Sequence, residues 1–316
     1  MLSKLSQPTI RINNKEIRIF DVLFPEQAIY ARKFSLPVLL VLLVGLTAVF
    51  AIVGKILPAN GFIGFDWVHF FGIRNVPVFY PPWDLWLITP LTWQILIGLT
   101  LAAVCIAAVM RSVHPISAAM VLFCLPVLWT VFLGQLDGIV TLGLLYLPWL
   151  APLALAKPQV SIFAFGAKRS YLIGFAVCLI ISMLIWGAWP LRMMNVESYY
   201  AEGRYQQNIG MGMWGLPLTL ITLWFSRGDM DMLMASGVFL VPHLIPYNLL
   251  PLTPAVARLR PKAAILAFVF SWLPFSANWL GPIGWWLGWI FVAWIWLNLA
   301  ASRYPGSFLG RTLGKL

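Results

Sequence analysis

The chain of 316 residues is 61% hydrophobic and only 10% charged, with a mean hydropathy of +0.87. Length alone would permit two soluble domains, but the apolar runs are far too long for soluble cores, so that class is excluded. The net charge of +11 sits beside apolar runs rather than on a basic surface domain, which argues against nucleic acid as a partner and for the anionic surface of a membrane.

Residues 1–34 hold Lys4, Arg11, Lys15, Arg18, Arg32 and Lys33 and contain no continuous apolar stretch of the kind a cleavable leader needs, so the first span is expected to act as the targeting signal. Positions 9–20 alternate apolar and polar residues around Asn13-Asn14, the pattern of a short β-hairpin; an interfacial amphipathic helix is the competing reading. Pro25-Glu26 reads as a helix start leading toward the membrane.

A hydrocarbon core of roughly 30 Å needs about 20 apolar residues per helix. The first such run covers about 35–57, and a polar, aromatic loop, 58–83, follows it. A second span is expected over about 84–110, ending at Arg111 and His114, and a third over about 115–133, ending at the tight turn Gly134-Gln135-Leu136-Asp137-Gly138. Pro148 and Pro152 break the run 139–156 into a broken or partly re-entrant helix. Lys157, Lys168 and Arg169 precede a span at 170–190, a second loop, 191–213, and a short span near 214–226. The stretch 231–257 either crosses once or turns at Pro242-His243-Leu244-Ile245-Pro246; the turn is preferred because it returns Arg258, Arg260 and Lys262 to the same side as the other cations. Two final spans cover about 263–280 and 284–302.

The expected architecture is therefore all-α, a polytopic membrane bundle of about 8–10 segments, some short or re-entrant. Residues 1–34 form an N-terminal segment, 35–302 one transmembrane domain, and 303–316 a basic tail. The positive-inside rule places both termini in the cytoplasm and loops 58–83 and 191–213 outside.

Candidate chemistry is sparse, because Asp and Glu together number 10. Asp66, in the loop after the first span, is either a solvated carboxylate or a general base at the mouth of the bundle. His69 could share its helical face or lie on the surface. Tyr80-Pro81-Pro82-Trp83-Asp84 fits an aromatic belt at the membrane boundary, with Asp84 as a first-turn carboxylate. Lys157, with Pro158 and Gln159, either snorkels to the interface or binds an anion. Gln135 and Asp137 divide between turn chemistry and a polar site. His243 is an intramembrane ionisable residue, functional or satisfied by a carbonyl. Arg204, with Gln206, Gln207 and Asn208, could hold a phosphate or a sugar in a loop that is otherwise simply solvated. Cys105, Cys124 and Cys178 read as small buried hydrophobes. No nucleotide-binding, zinc-protease or nucleophile-elbow motif is present.

The order of these motifs resembles a known family. An outer-loop Asp66, Tyr80-Pro81-Pro82, Gly134-Gln135, Lys157-Pro158-Gln159 and then Pro242-His243 with Tyr247-Asn248-Leu249 look like the GT-C-type, polyprenyl-phosphate-dependent membrane glycosyltransferases, nearest to the mannosyltransferase-like glycosyltransferase family 87. The likeness spans about residues 64–250 and implies a shortened form, with Asn248 where relatives often carry Asp. It implies transfer of a mannose-like hexose, with inversion, from a polyprenyl-phosphate donor to a glycan or glycolipid acceptor at the extracytoplasmic face of a prokaryotic cytoplasmic membrane. Asp66 would be the base, Lys157 and Arg204 would neutralise the departing phosphate, and His243, Gln135 and Gln159 would shape the donor pocket, with His69, Tyr80 and Asp137 beside them. No cofactor is implied, with a divalent metal left open. Against this stand a non-catalytic lipid-binding or transport protein, and a structural subunit packing its 17 tryptophans against membrane-protein partners.

Overall fold

Among the described residues, five helices are long and apolar enough to cross a membrane: α1 (Leu36–Ile56), α2 (Trp93–Arg111), α6 (Arg169–Trp186) and the broken spans Pro261–Leu280 and Pro282–Arg303. The computed structural model describes residues 9–12, 15–25, 27–75, 80–194 and 207–313. The pair α3 (Pro115–Phe123) and α4 (Leu125–Leu133), bent by 41° at Cys124, is a broken span or a re-entrant loop, and Pro126 leaves the bend without one of its ladder donors. Shorter apolar helices are α7 (Gly212–Ser226) and the stretch Met230–Leu240. These lengths and compositions are those of a multi-pass membrane protein.

Burial sorts the spans. The apolar windows of α1 and α6 are 6% buried and that of α2 is 67% buried, so α2 is central while α1 and α6 present most of their surface outward. The α1–α2 contact is close because Gly98 faces it: a Cβ there would collide with the backbone oxygen of Thr47. At the far end of the pair, Trp93 Nε1 donates to Leu57 O at 2.7 Å.

The bundle has two polar ends. At one, α2 finishes at Arg111, which is 1% exposed and paired with Asp231 at 3.3 Å. Arg258 pairs with the same Asp231 at 2.9 Å and with Asp229 at 2.7 Å. Burial alone would push the Asp229 carboxyl up, but the Arg258 hydrogen bonds and charge outweigh it and hold it below the usual range. Asp229 also caps α8 (Met230–Gly237), accepting from the amides of Asp231 and Met232.

This cluster decides the path of 231–257. The chain runs up α8, turns at 241–245 and returns through a 3-10 run, Pro246–Arg258, so Arg258 lies beside Arg111 as the preferred turn requires. Pro251 and Pro254 inside the run account for its 3-10 winding.

The N-terminal hairpin is present, with Thr9–Ile12 antiparallel to Lys15–Arg18 and Thr9 opposite Arg18. Two local expectations fail. No helix starts at Pro25: residues 27–34 run without helix, Arg32 N–H donating to Met110 O at 3.0 Å, and α1 begins only at Leu36. The second span begins at Trp93 rather than at 84. Asp84–Ile88 is a separate short turn of helix, Pro90 interrupts, and the Thr92 hydroxyl caps α2 by accepting from Ile95 N–H. Beyond α5 (Asp137–Leu145) the run is broken as expected, with Ala151–Ala154 a short separate helix.

Removing one charge of a buried pair is costly, by about 3–5 kcal/mol, whereas replacing both partners with apolar groups is often neutral. Asp231→Asn is therefore expected to lower the unfolding midpoint of the purified protein in detergent sharply, and Arg111→Met combined with Asp231→Leu to recover most of the loss. Equal midpoints for wild type and Asp231→Asn would contradict the role given to this cluster.

Candidate functional site

At the other end, four segments distant in sequence meet around one side chain. Gln135 follows Gly134, the left-handed C-cap of α4, whose φ is 77°. Only glycine fits there, because an added Cβ would stand 2.7 Å from the Trp93 ring and 2.9 Å from Trp67 Cβ. The loop carrying Asp66 is tied to the same place by Gly64 N–H, which donates to Phe132 O at 2.7 Å. Asp66 then leads a π-helical turn, Trp67–Phe71, whose Trp67 packs against Trp93.

Each polar atom of the Gln135 carboxamide has its partners. Oε1 accepts from Lys157 Nζ at 2.9 Å and from the Tyr80 hydroxyl at 3.2 Å. Nε2 donates to Asp66 Oδ2 at 2.6 Å and to the Tyr247 hydroxyl at 3.4 Å. Lys157 also pairs with Asp137 Oδ2 at 2.7 Å and stands over the Tyr247 ring, 4.5 Å from its centroid. Lys157 and Asp137 are 5% and 2% exposed, so this is a buried ion pair, not a snorkelling lysine.

The chain reaches this arrangement by doubling back. α5 leads away from Asp137, and Tyr30 hydroxyl contacts Leu144 O near the opposite end. The return brings Pro152 O to Trp83 Nε1 at 3.0 Å and then Lys157 to Gln135. The connection between Gln135 and Lys157 is thus a re-entrant hairpin whose two ends meet at the site.

Burial pushes the Asp66 carboxyl above its ordinary value; the Gln135 hydrogen bond and the Lys157 charge oppose this without cancelling it. Such a carboxylate binds a proton more readily than a solvated one, which suits a general base. His243 sits on the turn after α8, where Asn208 Nδ2 donates to Pro242 O and Asn208 Oδ1 accepts from Leu244 N–H. Burial first, and the field of Lys157 second, push its imidazole down to about 4, so it is neutral near pH 7.

The other candidates stand further off. His69 is exposed, stacked on Phe65 with ring centroids 4.2 Å apart, and its Nδ1 lies against Phe65 O. Gln159 opens the short helix after Lys157, and its Oε1 is buried without a hydrogen bond among the described residues. Arg204 and Gln206 lie outside the described residues. Asp84 is not a surface cap: it is fully buried, neither oxygen has a hydrogen bond among the described residues, and burial pushes its carboxyl well up. Tyr247 belongs to the network although only its place in the Tyr247-Asn248-Leu249 motif hinted at it. Among the described residues no three His, Cys, Asp or Glu side chains group as metal ligands would.

Comparison with known proteins gives no match to any family model, curated protein or solved structure.

Gln135→Leu removes the hydrogen bond that holds the Asp66 carboxyl down, so Asp66 should protonate at a still higher pH. Infrared titration of the protonated-carboxyl band, assigned by its absence in Asp66→Asn, is expected to show an upward shift; a downward shift would contradict the geometry.

Proposed function

We propose that the chain is a membrane glycosyltransferase that moves a hexose, mannose-like in class, from a polyprenyl phosphate to a hydroxyl acceptor. The observation that carries this reading is the convergence of Asp66, Gln135 and Lys157, three of the positions on which the GT-C resemblance rests, in one buried network. Asp137 joins it from the same turn as Gln135, and Tyr80 and Tyr247 join it from segments far away in the sequence.

In the proposed reaction the acceptor hydroxyl gives its proton to Asp66, and its oxygen attacks the anomeric carbon from the face opposite the phosphate. The bond from that carbon to the phosphate oxygen breaks, its electrons leave with the polyprenyl phosphate, and the configuration inverts. Gln135 holds Asp66 in place through Nε2, and Lys157 holds Gln135 through Oε1. Lys157 also offers positive potential to the departing phosphate. Its pairing with Asp137 reduces that potential, so its positioning role is the stronger one. The part assigned to Arg204 belongs to a segment outside the described residues.

The same reading puts both termini in the cytoplasm of a prokaryotic cell and the Asp66 end on the outer face. The Arg111 end carries Arg32, Lys33, Lys168, Arg227, Arg260, Lys262 and Arg303 within or beside it, in the sense the positive-inside rule requires. Closure of the Lys157 charge by Asp137 also suits a second reading, a protein that binds or moves the lipid-linked sugar without transfer.

Asp66→Asn keeps an oxygen to accept from Gln135 and should fold normally. In membranes supplied with labelled polyprenyl-phosphate mannose, wild type is expected to transfer the label and Asp66→Asn to lose at least about 100-fold of the rate, the scale of general-base catalysis. Undiminished transfer by Asp66→Asn would remove Asp66 as the base. Tight donor binding by wild type with no transfer to any endogenous acceptor would favour the binding and transport reading.

A further inference from the structure

The Asp66 end encloses a carboxyl that the proposed reaction does not use. Asp84 is 0% exposed, and neither of its oxygens has a hydrogen bond among the described residues. The turn that carries it is held at three points. The Asp84 amide donates to Pro81 O at 3.1 Å, Trp83 Nε1 donates to Pro152 O at 3.0 Å, and the Tyr80 hydroxyl donates to Gln135 Oε1 at 3.2 Å. Lys157 Nζ donates to that same Gln135 oxygen at 2.9 Å. Two donors on one acceptor are neighbours, so the turn leading into Asp84 starts beside the ammonium group.

Lys157 carries one positive charge for two buried carboxyls. Asp137 takes it, at 2.7 Å. Asp84 faces Lys157 and the Tyr80 phenol, and no second cation acts on it among the described residues. An isolated buried carboxylate is far costlier than a buried carboxylic acid, so such a group keeps its proton. Burial accordingly pushes the Asp84 carboxyl well up, and the Lys157 charge, the smaller influence, opposes it. Asp66 is a weaker claimant on the lysine, because it is only partly buried and reaches Lys157 through Gln135.

We propose that Asp84 is a proton-binding site, and that Asp84 and Asp137 are alternative partners of Lys157 with one proton between them. In the arrangement observed, the proton is on Asp84 and Lys157 pairs with Asp137. In the alternative, the O–H bond at Asp84 breaks, one forms at Asp137, and Lys157 pairs with Asp84. The exchange adds no net charge to the buried region, and the flexible four-carbon stem of lysine permits it. Lys157 also gives one of the two hydrogen bonds that orient Gln135, which in turn holds Asp66. The proton on Asp84 therefore keeps the Asp66 end in its observed arrangement. The inference rests on this network and does not depend on the glycosyltransferase reading.

The test is infrared difference spectroscopy of protonated carboxyls in the purified full chain near pH 7. Wild type is expected to show a band that Asp84→Asn removes. In Asp137→Asn the lysine loses its partner, so Asp84 should ionise to pair with it and the Asp84 band should be lost. Lys157→Met removes the cation and should act in the opposite direction. The Asp84 band stays, and a second band appears that Asp137→Asn removes in the same background. Lys157→Met leaves no orphan cation, so it decides the matter if the unfolding midpoint shows that Asp137→Asn does not fold. A wild type with no band that Asp84→Asn removes would overturn the proposal. So would an Asp84 band that persists undiminished in folded Asp137→Asn, or folded Lys157→Met without a protonated Asp137.

Discussion

The arrangement at the Asp66 end depends on one neutral carboxamide in one orientation. Lys157 and Tyr80 both donate to Gln135, so its oxygen must face them, and its nitrogen must then face Asp66. A flipped amide would set two donors against each other and an oxygen against a carboxylate. The buried lysine thus fixes the buried glutamine, and the glutamine fixes the aspartate. In surroundings this apolar, a missing partner would leave a desolvated polar group, so the members of the network hold one another in place.

The two ends of the bundle solve the same problem differently. At the Arg111 end, two arginines and two aspartates close on one another, giving a neutral cluster that ties α2, the start of α8 and the end of the 3-10 run together. At the Asp66 end the balance is open: Lys157 is matched by Asp137, and Asp66 and Asp84 remain beyond it. A closed cluster suits a staple. An open set of carboxylates, one of them held by a neutral hydrogen-bonding group, suits proton chemistry, and this contrast supports the proposal that puts the chemistry at the Asp66 end. The fully buried Asp84 has no hydrogen bond to its oxygens among the described residues, and the charge of Lys157 opposes its desolvation without cancelling it.

Much of the fold was legible because apolar length is a strong signal. The runs at 35–57 and 170–190 match α1 and α6 closely, and the turn within 231–257 followed from keeping Arg258 with the other cations. Where proline and threonine compete with hydropathy, reading was poorer. The apolar run continues through Asp84–Ile88, and only Pro90 and the Thr92 cap mark the true start of the second span at Trp93. The site was legible as a set of residues but not as a geometry. Asp66, Gln135, Asp137 and Lys157 all stood out as polar groups in apolar sequence, yet the Gln135 bonds that join them cross 69 and 22 positions of chain. Of the two readings open for His69, a face shared with Asp66 or the surface, the structure shows the second: its ring stacks on Phe65 and is exposed. Asp84 departs the other way, since a carboxylate at a helix start is usually solvated and this one is fully buried.

The central claim is that the network around Gln135 is where a lipid-linked sugar sits. Photo-crosslinking with a polyprenyl-phosphate hexose carrying a diazirine on the sugar tests that claim most directly. The account predicts that the label falls on peptides containing Asp66, Gln135, Lys157 or Tyr247, and that unlabelled donor competes it away. Competed labelling confined to the Arg111 end, with those peptides unmodified, would contradict it.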